Sequence, residues 1–211
     1  MFWPEGKKFV KIILYLLLLS IPLHAAAAAI HKTLLQRGIA EEVLRFHVLA
    51  NSDSEEDQKR KLQVRDQAVA WMEKTVKKAE EEAGKELNRD EVAALMEKRL
   101  PELEKIANQT LREEEAGYKA RASLETCYFP ERTYGSCSFP SGWYQALRIV
   151  LGEGSGRNWW CVLYPKLCFT DCLHAVVPEK EREKLEEVLT VEEYESLFEN
   201  PKEWKISFRW F

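Results

Sequence analysis

The thiols, the most reactive side chains of this sequence, gather in its second half. Cys161 and Cys168 bracket Val162-Leu163-Tyr164-Pro165-Lys166-Leu167, with Cys172 and His174 shortly beyond. A disulfide across so short a loop pins the neighbouring Trp159 and Trp160, and it is the most economical chemistry if the chain is exported. A thiol nucleophile at Cys161 instead needs a base, for which His47 and His174 are the candidates. Zinc is a poor match, because only Cys168 and Cys172 have ligand-like spacing and no second pair stands elsewhere, so no metal is expected. Cys127 and Cys137 form a second candidate pair, which leaves Cys172 over from the odd total of five.

Two further stretches invite a catalytic reading and do not sustain it. Ser52, Asp53, Asp57 and Asp66 cluster where a helix begins, and carboxylates there serve as caps and dipole partners. The loop Gly152-Glu153-Gly154-Ser155-Gly156 runs into Arg157-Asn158-Trp159-Trp160, without the Lys-Ser/Thr of a phosphate-binding loop. No cofactor is expected.

The elements that must position these residues follow from hydrophobic spacing. Residues 43–50 alternate as a strand and stop at Asn51-Ser52-Asp53. A long helix then runs to about Lys78, with Leu62, Val69, Met72 and Val76 as its buried stripe and Asp57, Lys61 and Arg65 as a chain of ion pairs beside it. A second helix carries Val92, Leu95, Met96, Leu100, Leu103 and Ile106, bent or restarted at Pro101. Residues 118–129 and 143–151 look like an antiparallel pair of strands. Residues 179–200 read as one broken or two short amphipathic helices, with Thr190 and Glu193 as an internal cap, and Lys205 to Phe211 as a terminal strand or docking tail. The sum is an α+β fold: a strand, two long helices and an antiparallel sheet over residues 30–178, with a charged helical extension over 179–211.

The first thirty residues differ in kind. Lys7, Lys8 and Lys11 precede an apolar run that meets Pro22, then Ala25 to Ala29, the pattern of a secretory signal. The uninterrupted run is shorter than the ~20 residues a membrane span needs, so residues 1–29 are expected to be a cleavable signal, with an uncleaved anchor as the alternative. Either way the rest of the chain crosses the membrane, where disulfides form. A formal net charge of −4, with no block of Lys and Arg, excludes a nucleic-acid footprint.

Taken together, Phe46-His47-Val48-Leu49-Ala50-Asn51-Ser52-Asp53-Ser54, the following Asp57-Gln58, Lys61 and Val64-Arg65-Asp66, then Tyr134-Gly135, Phe139-Pro140-Ser141-Gly142 and the run from Gly152 through Asn158-Trp159-Trp160-Cys161-Val162 to Phe169 resemble the stage II sporulation protein R family. The resemblance implies a forespore protein exported into the space between forespore and mother-cell membranes. There it would activate a membrane-embedded aspartic protease that processes the sigma-E precursor. It implies a ligand and not an enzyme, touching the membrane only through residues 1–29. The partner-binding candidates are Asn51, Ser52, Asp53, Arg65, Asn158, Trp159, Trp160 and Tyr164. Cys161 and Cys168 lie within the resembling segment, whereas Cys127, Cys137 and Cys172 depart from it. The competing class is an exported hydrolase or wall-modifying enzyme using Cys161 or His47.

Overall fold

The computed structural model describes residues 5–169 and 177–198. It is an α+β fold with helix α1 (Glu5–Glu42), strand β1 (Leu44–Leu49), helices α2 (Glu55–Ala83) and α3 (Arg89–Glu113), strands β2 (Ala120–Phe129), β3 (Arg132–Tyr134), β4 (Cys137–Phe139), β5 (Gly142–Leu151) and β6 (Asn158–Tyr164), and helices α4 (Glu179–Val188) and α5 (Val191–Phe198). Cys172 and the tail from Lys205 to Phe211 lie outside the described residues.

The main sheet has the order β2-β5-β1-β6, and β3 pairs with β4 as a separate hairpin. β2 and β5 are antiparallel, as the sequence suggested, with Ala120 opposite Leu151 and Phe129 opposite Gly142. The sheet as a whole is mixed, because β1 runs parallel to β5 and antiparallel to β6. The α2–α3 pair between β1 and β2 supplies chain enough for that crossover.

Alternation in β1 does not separate core from solvent, since all six of its residues are buried. It separates two cores. Leu44, Phe46 and Val48 join Leu147, Ile149 and Leu151 of β5 under α2 and α3. Val43, Ala146 and Val162 line the other face, beneath Ile39 of α1, Phe139 of β4, Leu185 of α4 and Leu197 of α5. Each large side chain buried this way contributes about 1.5–3 kcal/mol. The helices of 179–198 are therefore part of the fold. Thr190 caps α5 as expected, its Oγ1 accepting from Glu193 N–H at 3.3 Å while Glu193 accepts from Thr190 N–H at 2.9 Å. Lys166 adds a tie, its backbone N–H donating to Glu181 and its ammonium pairing with Glu80 at 2.7 Å.

Several local expectations are corrected. The α2 stripe is Val64, Ala68, Met72 and Val76, continued by Asp57 and Lys61, while Leu62 is exposed. The glycine loop covers the start of this helix and turns polar residues inward. No ion-pair chain joins Asp57, Lys61 and Arg65: Asp57 pairs with Arg60, Arg65 with Asp66, and Lys61 donates to the Gln58 side chain and the Arg157 carbonyl. Helix α3 starts on an Asn88–Glu91 capping box and runs through Pro101 as one helix. Helix α1 continues past residues 29 and 30 to Glu42 and buries Ile39 completely.

Ser54 is the N-cap of α2, its Oγ accepting from Asp57 N–H at 3.2 Å. Ser52 is also engaged, donating to the Asp57 carboxylate at 2.6 Å. Ser54→Ala is expected to cost about 0.5–2 kcal/mol for the lost cap, and Ser52→Ala about 1.5–3 kcal/mol for a hydrogen bond to a charged group. Chemical denaturation of both variants checks this, and a silent Ser52→Ala would refute the second role.

Candidate functional site

Asn51, Ser52 and Asp53 link β1 to α2 directly beside the turn between β5 and β6. Asn51 Oδ1 accepts from Glu153 N–H at 3.0 Å, and the Asn51 carbonyl accepts from Ser155 Oγ at 2.6 Å. Gly156 N–H donates to the Ala50 carbonyl at 3.0 Å, and Arg157 N–H donates to Asp53 Oδ1 at 2.7 Å. Gly156 lies so close that a Cβ there would collide with the Ser52 carbonyl, and Gly152, at φ +54°, packs on Asn51 and Tyr118. A side chain at either position would push the two loops apart.

Asp57 is the centre of this brace. Its carboxylate accepts from Ser52 Oγ (2.6 Å), Asn51 Nδ2 (2.8 Å), Tyr118 OH (2.5 Å) and Arg60 Nη1 (3.1 Å). Burial alone would raise its pKa, but the donors from Ser52, Tyr118, Asn51 and Arg60 outweigh it and hold the carboxyl well below the usual carboxylate range. Four donors converge on this buried anion, an arrangement that suits a structural ion rather than a general base.

From the brace β1 and β6 run side by side, with Leu49 opposite Asn158, Val48 opposite Trp159 and His47 opposite Trp160. The two tryptophans emerge on opposite faces of the sheet. Trp159 meets Phe46 edge-on at 5.7 Å with the Arg65 guanidinium 5.3 Å above its ring. Trp160 stacks on His47 at 4.9 Å, meets Phe129 edge-on at 4.7 Å, and lies under Arg132 at 5.6 Å. Both are only partly buried, as is Asn158, and Asp53 and Arg157 form an exposed ion pair. Tyr164 is 3% exposed and belongs to the core, so it is removed from the partner-facing candidates. Asn51 and Ser52 spend their polar groups on the brace.

Cys161 and His47 are not brought together as a catalytic pair, and the other candidate base, His174, lies outside the described residues. Cys161 belongs to the core under α2 and α3, whereas His47 packs on Phe129 and Trp160 on the other face of the sheet. The nearest thiol to His47 is Cys127, with Sγ 3.6 Å from Nε2. Burial, with Arg148 and Arg45 nearby, lowers the imidazole pKa to about 3, and burial raises the Cys127 thiol to about 11. Both shifts favour neutral partners, the reverse of an activated thiolate–imidazolium pair. Cys127 and Cys137 are thiols and do not form the expected bridge: Cys127 turns to His47, while Cys137 is buried with Phe139 and Val177.

Sequence reasoning overlooked Arg45. It is completely buried, with its guanidinium 4.6–5.7 Å from the ring centroids of Phe129, Phe139, Tyr144 and Tyr134. Nη2 donates to Tyr134 OH at 3.3 Å, and Nε and Nη1 have no hydrogen-bond partner among the described residues. Arg45 and the four rings are scattered from β1 to β5, and only a polar residue in an apolar alternation hinted at the cluster.

The profile of the Stage II sporulation protein R (spore_II_R) family matches residues 40–174. The chain belongs to the stage II sporulation protein R family. It is 32% identical over 150 residues to Stage II sporulation protein R of Bacillus subtilis (strain 168), a match spanning 69% of this chain and 62% of that protein. The chain therefore covers less than two thirds of that relative's length. No solved structure matches. Membership in the spore_II_R family supports a role in sporulation, and the family profile spans both the brace and the paired tryptophans.

Two acid windows test this electrostatic picture. The folded His47 pKa lies below the ordinary value of about 6.5, so its contribution is complete above pH 6.5 and is lost as pH falls toward about 3, by up to about 1.4 kcal/mol per pH unit. His47→Phe, which keeps an aromatic ring on Trp160, is expected to flatten the stability profile between pH 7 and 5. Asp57 acts lower: its folded pKa is depressed, so its contribution is present above about pH 3.9 and fades below it. Asp57→Asn places an amide donor among donors, with an expected cost of about 1–3 kcal/mol at pH 7. That deficit narrows below pH 4, and urea titrations across pH would show it; a deficit independent of pH would refute the ionised-brace account.

Proposed function

We propose that this chain is a secreted signal of sporulation: a ligand, acting from the forespore in the space between forespore and mother-cell membranes, that activates a membrane-embedded aspartic protease to process the sigma-E precursor. One observation carries the reading. The two stretches that resemble the family, far apart in sequence, meet where β1 and β6 run together, and they leave Trp159, Trp160, Asn158, Asp53 and Arg157 partly or fully accessible around a rigid brace. Partly exposed tryptophans held under arginines suit an interface, because aromatic and arginine side chains dominate binding energies. The neutral His47–Cys127 pair and the buried Cys161 do not suit catalysis. Helix α1 is long and apolar enough to cross a membrane, which is compatible with export through a signal or anchor.

Reconstitution of precursor processing from purified protease, precursor and this chain tests the proposal. Processing is expected to need all three, to survive His47→Phe, and to weaken with Trp159→Ala or Trp160→Ala. Each tryptophan variant also loses packing, with about 3–5 kcal/mol as the cost for a fully buried ring. Melting curves therefore accompany activity, and only loss of activation in a folded variant counts as interface loss. A chain that processes the precursor without the protease would overturn the ligand reading.

A further inference from the structure

Most of the domain's own exposed large apolar side chains gather in one place. Outside α1, the large apolar residues left exposed among the described residues are Leu62, Tyr128, Trp143 and Val191. Three of the four surround the point where α1 leaves the domain. Trp143 is 64% exposed and meets the exposed Tyr128 edge-on at 5.9 Å. It lines a groove with Thr33, Gln36, Arg37 and Ala40 of α1. Its neighbour Gly142 lies directly on Gln36. Val191 is 75% exposed, and the adjacent Glu192 pairs with His31 of α1 at 3.0 Å.

Along α1 these contacts fall where its bare apolar surface ends. The side chains from Phe9 to Leu34 include a long exposed apolar series that closes with Ile30 and Leu34, and Ile39 is the first to be fully buried. At a rise of about 1.5 Å per residue, Gln36 stands about 3 Å and Ala40 about 9 Å beyond Leu34. The headgroup layer of each leaflet is roughly 5–8 Å thick. With the apolar part of α1 in the hydrocarbon core, Trp143, Tyr128 and Val191 stand at headgroup depth, the level at which Trp and Tyr are enriched because their rings are apolar with one polar edge. Lys32 and Arg37, exposed on the same turns, are placed to reach lipid phosphates.

We propose that the face from which α1 emerges is a membrane-seating surface, with Trp143 and Tyr128 resting among lipid headgroups for as long as α1 stays joined to the domain. Membrane contact then extends beyond residues 1–29, and the bilayer orients the domain instead of leaving it on a free tether. This inference is independent of the protease proposal.

The full chain, reconstituted in phosphatidylcholine vesicles, is compared with Trp143→Phe. The difference between their tryptophan emissions isolates Trp143 from the other tryptophans, and matching melting curves confirm that this exposed position leaves the fold intact. Lipids brominated just below the headgroups are expected to quench most of that difference emission, and aqueous acrylamide to leave it largely unquenched. A chain that floats with the vesicles while Trp143 is quenched by acrylamide and spared by the bromolipid overturns the proposal. Protection from both quenchers overturns it in favour of a protein contact, and a chain that fails to float overturns it outright.

Discussion

The buried carboxylate of Asp57 is the constraint on which the rest of the architecture depends. It takes hydrogen bonds from the β1–α2 connection through Asn51 and Ser52, from α2 itself through Arg60, and from the start of the second half through Tyr118. Arg60 also donates to the Glu114 carbonyl just beyond the end of α3 at 3.3 Å. One anion thus fixes where the central strand ends, where α2 starts and where α3 hands over to β2. The glycine loop closes on the same point, which sets the turn from β5 into β6 and the register of β6 on β1. Asn158 and the two tryptophans follow that register, so accessibility at one end of the sheet is decided by a charge several residues away. A buried ion with all its acceptor sites occupied specifies geometry strictly, because no alternative partner is available inside the protein.

The second face of the sheet answers a different physical demand. Arg45 is a buried cation with no carboxylate beside it among the described residues; it is surrounded instead by π-faces. Such contacts gain strength once desolvated, to about 2 kcal/mol or more each, but they require the hairpin β3–β4, the end of β2 and the start of β5 to close together. The rings of Phe129 and Tyr144 also meet each other edge-on, and Phe129 passes the arrangement to Trp160 and His47. His47 is held neutral inside this cluster. The same packing that disables it as a base makes it a stacking surface that orients Trp160.

These two centres divide the structural labour of the domain. Asp57 rigidifies the backbone, Arg45 fills the second core, and the polar groups left over stand around the β1–β6 end and the exit of α1. Helix α1 joins both themes, since its last turns pack beneath α5 and its earlier turns expose apolar surface continuously. The domain is thereby coupled mechanically to whatever holds that helix.

The sequence by itself determined the α+β class, both long helices, the antiparallel β2–β5 pair, the Thr190 cap and the family, because these rest on local spacing, cap chemistry and motifs each contained within its own stretch. Tertiary structure alone decided what the polar residues do. Arg45 and His47 share one side of an alternating strand, and because β1 is central and parallel to β5 both of its sides are covered; alternation reports a change of face and not exposure. Asn51 and Ser52 looked partner-facing because the motif is distinctive, yet the glycine loop some hundred residues later consumes their hydrogen bonds. Tyr164 was withdrawn by burial, and Cys161 was parted from His47 by the sheet between them. In each case the deciding partner was distant in sequence, and only the pairing of β1 with both β5 and β6 brought it within hydrogen-bonding or packing distance.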